Sequence, residues 1–188
     1  MSRTTALPGR MLPALGAIVT GVMLAVPYNY AGFYPLTWLA FVPLLLAAHG
    51  RSVATHYWLG LVAGLAMYLV ATPWMVEFLQ RLKDYSLAPA LAGALVFWLL
   101  TAQLPALLMV CWRWCQQFSG SSCLWFFPVL VMVFYGWFPV LFPLQLGESQ
   151  SAFLPAIQGA DLTGVYGVDL MIGISNAVIA AGALRIMG

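Results

Sequence analysis

Gln145, Glu148, Ser149 and Gln150 crowd amides, a carboxylate and a hydroxyl into one short stretch, Gln145-Leu146-Gly147-Glu148-Ser149-Gln150. Phe142-Pro143 precedes it, and Gln158 and Asp161 follow. Between apolar runs, such groups on irregular backbone must be met by water, by protein partners or by a ligand head group, because hydrocarbon offers no hydrogen bonds. This stretch is the first candidate site. Asp169 falls inside the last apolar run, where a carboxylate is costly; it marks either a structural hydrogen bond or part of a polar cavity. Glu77 precedes Arg81 by one helical turn, the spacing of a helix-end ion pair, and the sequence identifies no acid–base partner for it.

The remaining reactive side chains are sparse. His49 and His56 are the only histidines and both flank the second loop, where a solvated role is the ordinary one. Cys111 and Cys115 stand at i and i+4 on one helix face, with Cys123 beyond a short loop. Thiolates accept soft metals, and a site shared with a histidine is the alternative reading. Buried cysteine is usually a small hydrophobe, however, and an odd number of thiols makes no disulfide framework. Walker, H-E-x-x-H, G-x-S-x-G and G-x-G-x-x-G patterns are all absent from the sequence. No catalytic residue, metal or cofactor is assigned.

The elements that must position these groups are membrane helices. Of 188 residues 63% are hydrophobic and 6% charged, with a mean hydropathy of +0.95, whereas soluble domains carry about 25% charged residues. A net charge of +2 without a basic block excludes nucleic acid as a partner. Apolar runs broken by proline, glycine and charge fall near 11–26, 36–48, 57–79, 87–112, 124–142 and 164–187. At roughly 20 residues per crossing, the expectation is an all-α, polytopic membrane bundle of about six transmembrane helices, forming one domain over 1–188. Arg3 and Arg10 before the first run imitate a secretory signal, but no small-x-small cleavage site follows, so the run reads as an uncleaved first helix. Pro27 and Pro35 are expected to stop the first two helices around a tight, tyrosine-bearing turn.

Orientation follows from charge. With a cytoplasmic N-terminus, Arg3, Arg10, Arg51, Arg113 and Arg185 lie inside and only Arg81 and Lys83 outside, and the C-terminus is cytoplasmic too. Glu77, Asp84, Glu148 and Asp161 then gather at the outer face. Gly60 and Gly64 form a G-x-x-x-G on the third span, and Gly164, Gly167 and Gly173 thin the sixth, which favours close packing within the bundle.

Three passages together carry a family resemblance. They are Phe142-Pro143-Leu144-Gln145-Leu146-Gly147-Glu148-Ser149-Gln150; Gln158-Gly159-Ala160-Asp161-Leu162-Thr163-Gly164-Val165-Tyr166-Gly167-Val168; and Asn176-Ala177. They resemble the membrane domain of apolipoprotein N-acyltransferase. The opening from Val26-Pro27 to Trp38, with Leu39-Ala40-Phe41-Val42-Pro43-Leu44-Leu45-Leu46, is similar to that family's first hairpin, and Trp74 sits where its third helix ends in tryptophan. The chain departs from the family pattern at Leu144 for tryptophan, Glu148 for tyrosine and Asp169 for serine.

The resemblance implies a multi-pass protein of the bacterial inner membrane that works in lipoprotein biosynthesis. Full-length members resemble an eight-helix protein with a periplasmic nitrilase-like domain and a Glu-Lys-Cys triad. Here the only glutamates are Glu77 and Glu148 and the only lysine is Lys83, while the cysteines fall near the opposite face. The chain is therefore expected to be the membrane module without the catalytic domain, inactive alone, lodging phospholipid and lipoprotein acyl chains. Its expected partners are membrane lipid, together with a lipoprotein or a separate nitrilase-like subunit. Trp74, Gln145, Glu148, Ser149, Gln150, Tyr166 and Asp169 are the candidate lipid-binding residues. The alternative is a stand-alone lipid-binding or scaffold protein using the same loop. A transporter is a weaker third reading, because spans 1–3 and 4–6 show no internal repeat and the helix-kinking Pro105 alone is thin support.

Overall fold

The computed structural model describes residues 8–119 and 125–187. Arg3 and Cys123 lie outside the described residues. Those described form helices and connecting turns without strands. In order they are α1 (Pro8–Asn29), a 3-10 helix (Ala31–Leu39), α2 (Val42–Ala48), α3 (Val53–Ala71), α4 (Met75–Lys83), α5 (Leu87–Thr101), α6 (Gln103–Ser119), α7 (Phe126–Trp137), a 3-10 turn (Leu146–Gln150) and α8 (Leu154–Met187). Five stretches are long and apolar enough to cross a bilayer: Met11–Asn29, Ala31–Ala48, Val53–Ala71, Leu87–Phe118 and Leu154–Met187; α7 is a shorter apolar helix. Large apolar side chains such as Leu12, Leu95, Leu100, Val129 and Ile179 point outward, the inverse of a soluble surface. Exposed Tyr30, Trp74 and Trp137 ring one end, while Trp58, Trp114 and Trp125 ring the other, as aromatic residues do at both interfaces of a membrane.

Proline and glycine explain where these helices break. α1 runs past Pro27 to Asn29, contrary to expectation, because a proline this near a helix end forfeits one backbone bond and no more. The apolar run 57–79 divides at Thr72-Pro73 into α3 and the short α4, which turns back against α5. Within Leu87–Phe118 the helix breaks at Ala102, where Pro105 denies an amide to the carbonyl of Thr101. α8 bends at Gly164, whose φ of 69° and ψ of 177° belong to a region open almost only to glycine. The portion after the bend, 165–187, extends about 35 Å, near the thickness of a bilayer core.

The core forms where small residues let backbones meet. A Cβ on Gly60 would lie 2.5 Å from the Pro105 carbonyl, and one on Gly64 would lie 2.8 Å from Ala102 Cα, so the G-x-x-x-G seats α3 on α6 within the chain. α1 lies along α3 and contributes Ala17, Leu24 and Ala25 to the buried cluster around Phe41, Met67, Leu108 and Phe127. Glu77 and Arg81 pair on α4, largely in solvent.

These contacts sort the termini of the elements into two ends. The start of α1, the ends of α2, α6 and α8, and the starts of α3 and α7 share one end, with Arg51, Arg113 and Arg185. The opposite end holds the two 3-10 segments, α4 and the first part of α8, with Glu77, Asp84, Glu148 and Asp161. Cys111 and Cys115 are free thiols in the second half of α6, towards the arginine end. His49 is exposed there, but His56 corrects the expectation of a solvated residue: it is fully buried, its Nδ1 against the Ser52 carbonyl and its Nε2 without a partner.

Candidate functional site

Partway along its length the second span is interrupted between the 3-10 helix and α2, which frees backbone groups in the buried interior where no water is at hand. Asn176, on α8, answers them. Its Oδ1 accepts from the Phe41 amide at 2.7 Å, and its Nδ2 donates to the Thr37 carbonyl at 3.0 Å and to that of Ile172 at 2.9 Å. The Ser175 hydroxyl donates to the Trp38 carbonyl at 2.9 Å, and the Thr20 hydroxyl receives the Leu44 amide at 3.1 Å at the first turn of α2.

On that platform sits the turn Leu146–Gln150. The Gln150 Oε1 receives the Trp38 indole N–H at 2.7 Å, and its Nε2 donates to Ser149 Oγ at 2.8 Å and to the Tyr34 carbonyl at 3.3 Å. Ser149 Oγ donates to the Leu146 carbonyl at 2.6 Å and lies 3.1 Å from Thr37 Oγ1, which then acts as donor. The Tyr28 hydroxyl donates to the Gln145 carbonyl at 2.7 Å. Asp169 Oδ1 receives the Gly147 amide at 2.6 Å, while its Oδ2 is buried without a partner. Of the two readings open for Asp169, the structural hydrogen bond is thus present on one oxygen.

Beside this network the 3-10 helix and the first part of α8 enclose an open groove of about 690 Å³, lined by Tyr34, Pro35, Trp38, Phe153, Pro155, Ala156, Gly159, Leu162, Thr163, Val168 and Met171. Phe153 stacks on Tyr34 with centroids 5.0 Å apart and meets Trp38 edge-on at 6.2 Å. The lining is apolar but for the Thr163 hydroxyl, the tyrosine hydroxyl and the indole N–H, and the last is already held by Gln150. A concave apolar wall with a few polar groups at its edge suits a hydrocarbon chain rather than a polar substrate.

None of the anticipated residues lines this groove; they lie behind it and in two neighbouring places. Ser149 and Gln150 are buried behind the groove's Tyr34–Trp38 wall, with their polar atoms committed to protein partners. Glu148 projects to the surface; partial burial raises its carboxyl above the ordinary range, opposed by a hydrogen bond from the Gln145 backbone. Trp74 stands apart in an aromatic cluster with Phe78, Phe97 and Phe142, beside a smaller cavity of about 290 Å³. Tyr166 stacks on Trp137 at 4.8 Å, at the end of α7. Tyr34, Trp38, Thr37 and Phe153 were not anticipated, since their partners lie more than a hundred residues away in the chain. The one local sign was a tryptophan closely following Pro35 inside an apolar run.

Comparison with known proteins identifies the family of the chain. The family model described as the apolipoprotein N-acyltransferase N-terminal domain matches residues 20–178, which include the groove, the turn and Asn176. An apolipoprotein N-acyltransferase of Geobacter metallireducens is 36% identical over 172 residues, covering 88% of this chain and 32% of its own length. The chain thus spans about a third of the curated relative it matches. No solved structure matches.

Proposed function

Because the chain belongs to the apolipoprotein N-acyltransferase family, through its N-terminal domain, we propose that it is the membrane module of such an enzyme and holds acyl chains of phospholipid and lipoprotein in the groove beside Trp38 and Phe153. The observation that carries this reading is an apolar groove at the acidic end whose lining residues Trp38 and Tyr34 are held from behind by Gln150 of the family-like stretch Gln145–Gln150. The described thiols, Cys111 and Cys115, are towards the other end of the bundle, so acyl transfer through a thiolate at the groove needs a catalytic group from outside the residues described. The module by itself binds lipid and does not transfer it. The excess of arginine at one end supports a cytoplasmic position for that end and for both termini, with the groove opening towards the outer side of the inner membrane.

A groove-filling substitution tests this. Gly159 has open space around the position of a Cβ, so Gly159→Trp adds bulk to the groove without disturbing its neighbours. The expected result is a loss of acyl-chain photo-crosslinking to Phe153 and Met171, with no triacylated product formed by the purified chain before or after substitution. Unchanged crosslinking would remove the groove from the mechanism. Acylation of a diacyl lipopeptide by the purified chain would overturn its non-catalytic role.

A further inference from the structure

The arginine end carries a second groove, unrelated to the one just described. It has a volume of about 600 Å³ and lies between α1, α2 and the last residue of α8, with Leu12, Leu15, Leu46 and Met187 on its walls and His49 and Arg51 at its rim. Deeper in the bundle α1 and α2 are locked together. A Cβ on Gly16 would lie 3.0 Å from the Pro43 carbonyl, and Thr20 receives the Leu44 amide at 3.1 Å. Above that lock the helices leave a preformed apolar slot. α2 ends at Ala48 and the chain turns at Gly50, with φ of 67°, which brings His49 and Arg51 to the same rim. Both side chains are exposed and neither takes part in a hydrogen bond or ion pair with another described residue.

From this we infer a binding site for an anionic phospholipid of the adjacent leaflet, one acyl chain in the slot and the phosphate between His49 and Arg51. Charge selects the occupant. Arg51, Arg113 and Arg185 stand at this end without a described carboxylate, so a zwitterionic head group would bring a cation to a surface that offers it no partner, whereas an anionic one brings no such conflict. The site lies at the opposite end from the acyl groove and does not depend on the function proposed above.

Photo-crosslinking in lipid nanodiscs distinguishes a site from general surface attraction. In phosphatidylcholine discs doped with a photoactivatable phosphatidylglycerol, crosslinks are expected on Leu12, Leu15 and Leu46, exceeding those from a photoactivatable phosphatidylcholine. Removing one surface arginine weakens attraction to anionic lipid about fivefold. Arg51→Gln should lower slot crosslinking by about that factor, and Arg51→Glu by more, while crosslinks on lipid-facing Leu95 and Leu99 of α5 stay unchanged and report an intact bundle. Equal labelling of the slot by the two lipids overturns the proposal. So does Arg51→Gln labelling like the wild type.

Discussion

Asn176 is one amide meeting three backbone groups, two of them freed by the break between the 3-10 helix and α2. Replacing it with leucine of similar bulk strands the Phe41 amide and the Thr37 carbonyl in an apolar interior. Asn176→Leu should therefore lower stability by about 2 kcal/mol or more, measured by denaturation in detergent micelles. Asp169 behaves differently, because one of its buried oxygens has no donor. Asp169→Asn keeps an acceptor for Gly147 and exchanges an unpartnered carboxylate oxygen for an unpartnered amide nitrogen, so its expected effect is within about 1 kcal/mol of the wild type in the same assay, whereas Asp169→Leu, which also strands the Gly147 amide, should destabilise by about 1–3 kcal/mol. Glu148 gives a pH test. Its folded-state carboxyl binds the proton more tightly than in the unfolded chain, so its contribution is fullest below the unfolded value and is lost as pH rises through the folded one. Glu148→Gln should flatten the decline in thermal midpoint as pH rises above the ordinary glutamate value of about 4.3. These residues were legible to different degrees. Glu148, Ser149 and Gln150 stood out as polar types between apolar runs, but that Ser149 and Gln150 turn inward depends on Thr37 and Trp38, which no local spacing relates to them.

Helices here are defined by where they are interrupted. Gly164 holds a backbone conformation that an L side chain adopts only under strain, although a Cβ there would meet nothing closer than 3.7 Å. Gly164→Ala is expected to cost about 1–3 kcal/mol through backbone strain alone. Because the bend aims the first part of α8 at the 3-10 helix, the same change should also reduce acyl-chain crosslinking to Phe153. Gly64 limits the structure differently, by close approach. Gly64→Leu should force α3 from α6, with a loss of about 3 kcal/mol or failure to fold. The sequence announced the Gly60–Gly64 contact face but not its partner. Pro105, noted as a kink, turned out to be the surface against which that face rests. Helix ends are less legible in the sequence. Pro27 suggested a stop that the chain passes, and the apolar run 57–79 concealed the break at Thr72-Pro73, because hydropathy is blind to which carbonyls have lost their donors.

For the whole molecule, an outward apolar belt between two aromatic rings and a segregation of arginines from acids describe a body built for a bilayer. The proposed orientation is open to direct measurement. In a cysteine-free background, exposed Ser151→Cys should react with a membrane-impermeant maleimide on intact cells, while Arg51→Cys should react only after the membrane is opened. The reverse pattern would turn the protein over and detach the acyl groove from the outer leaflet. By itself the sequence determined that the chain is helical and lipid-embedded, and how its charges divide, since composition and hydropathy are sums over residues and need no coordinates. Its family was visible too, in motifs that are contiguous in the chain. Only the tertiary structure decided that Tyr34, Trp38 and Phe153 make one groove, that Asn176 mends the broken second span and that Asp169 holds Gly147. Each of these joins elements far apart in the chain, and such pairings are set by how helices cross rather than by any local pattern.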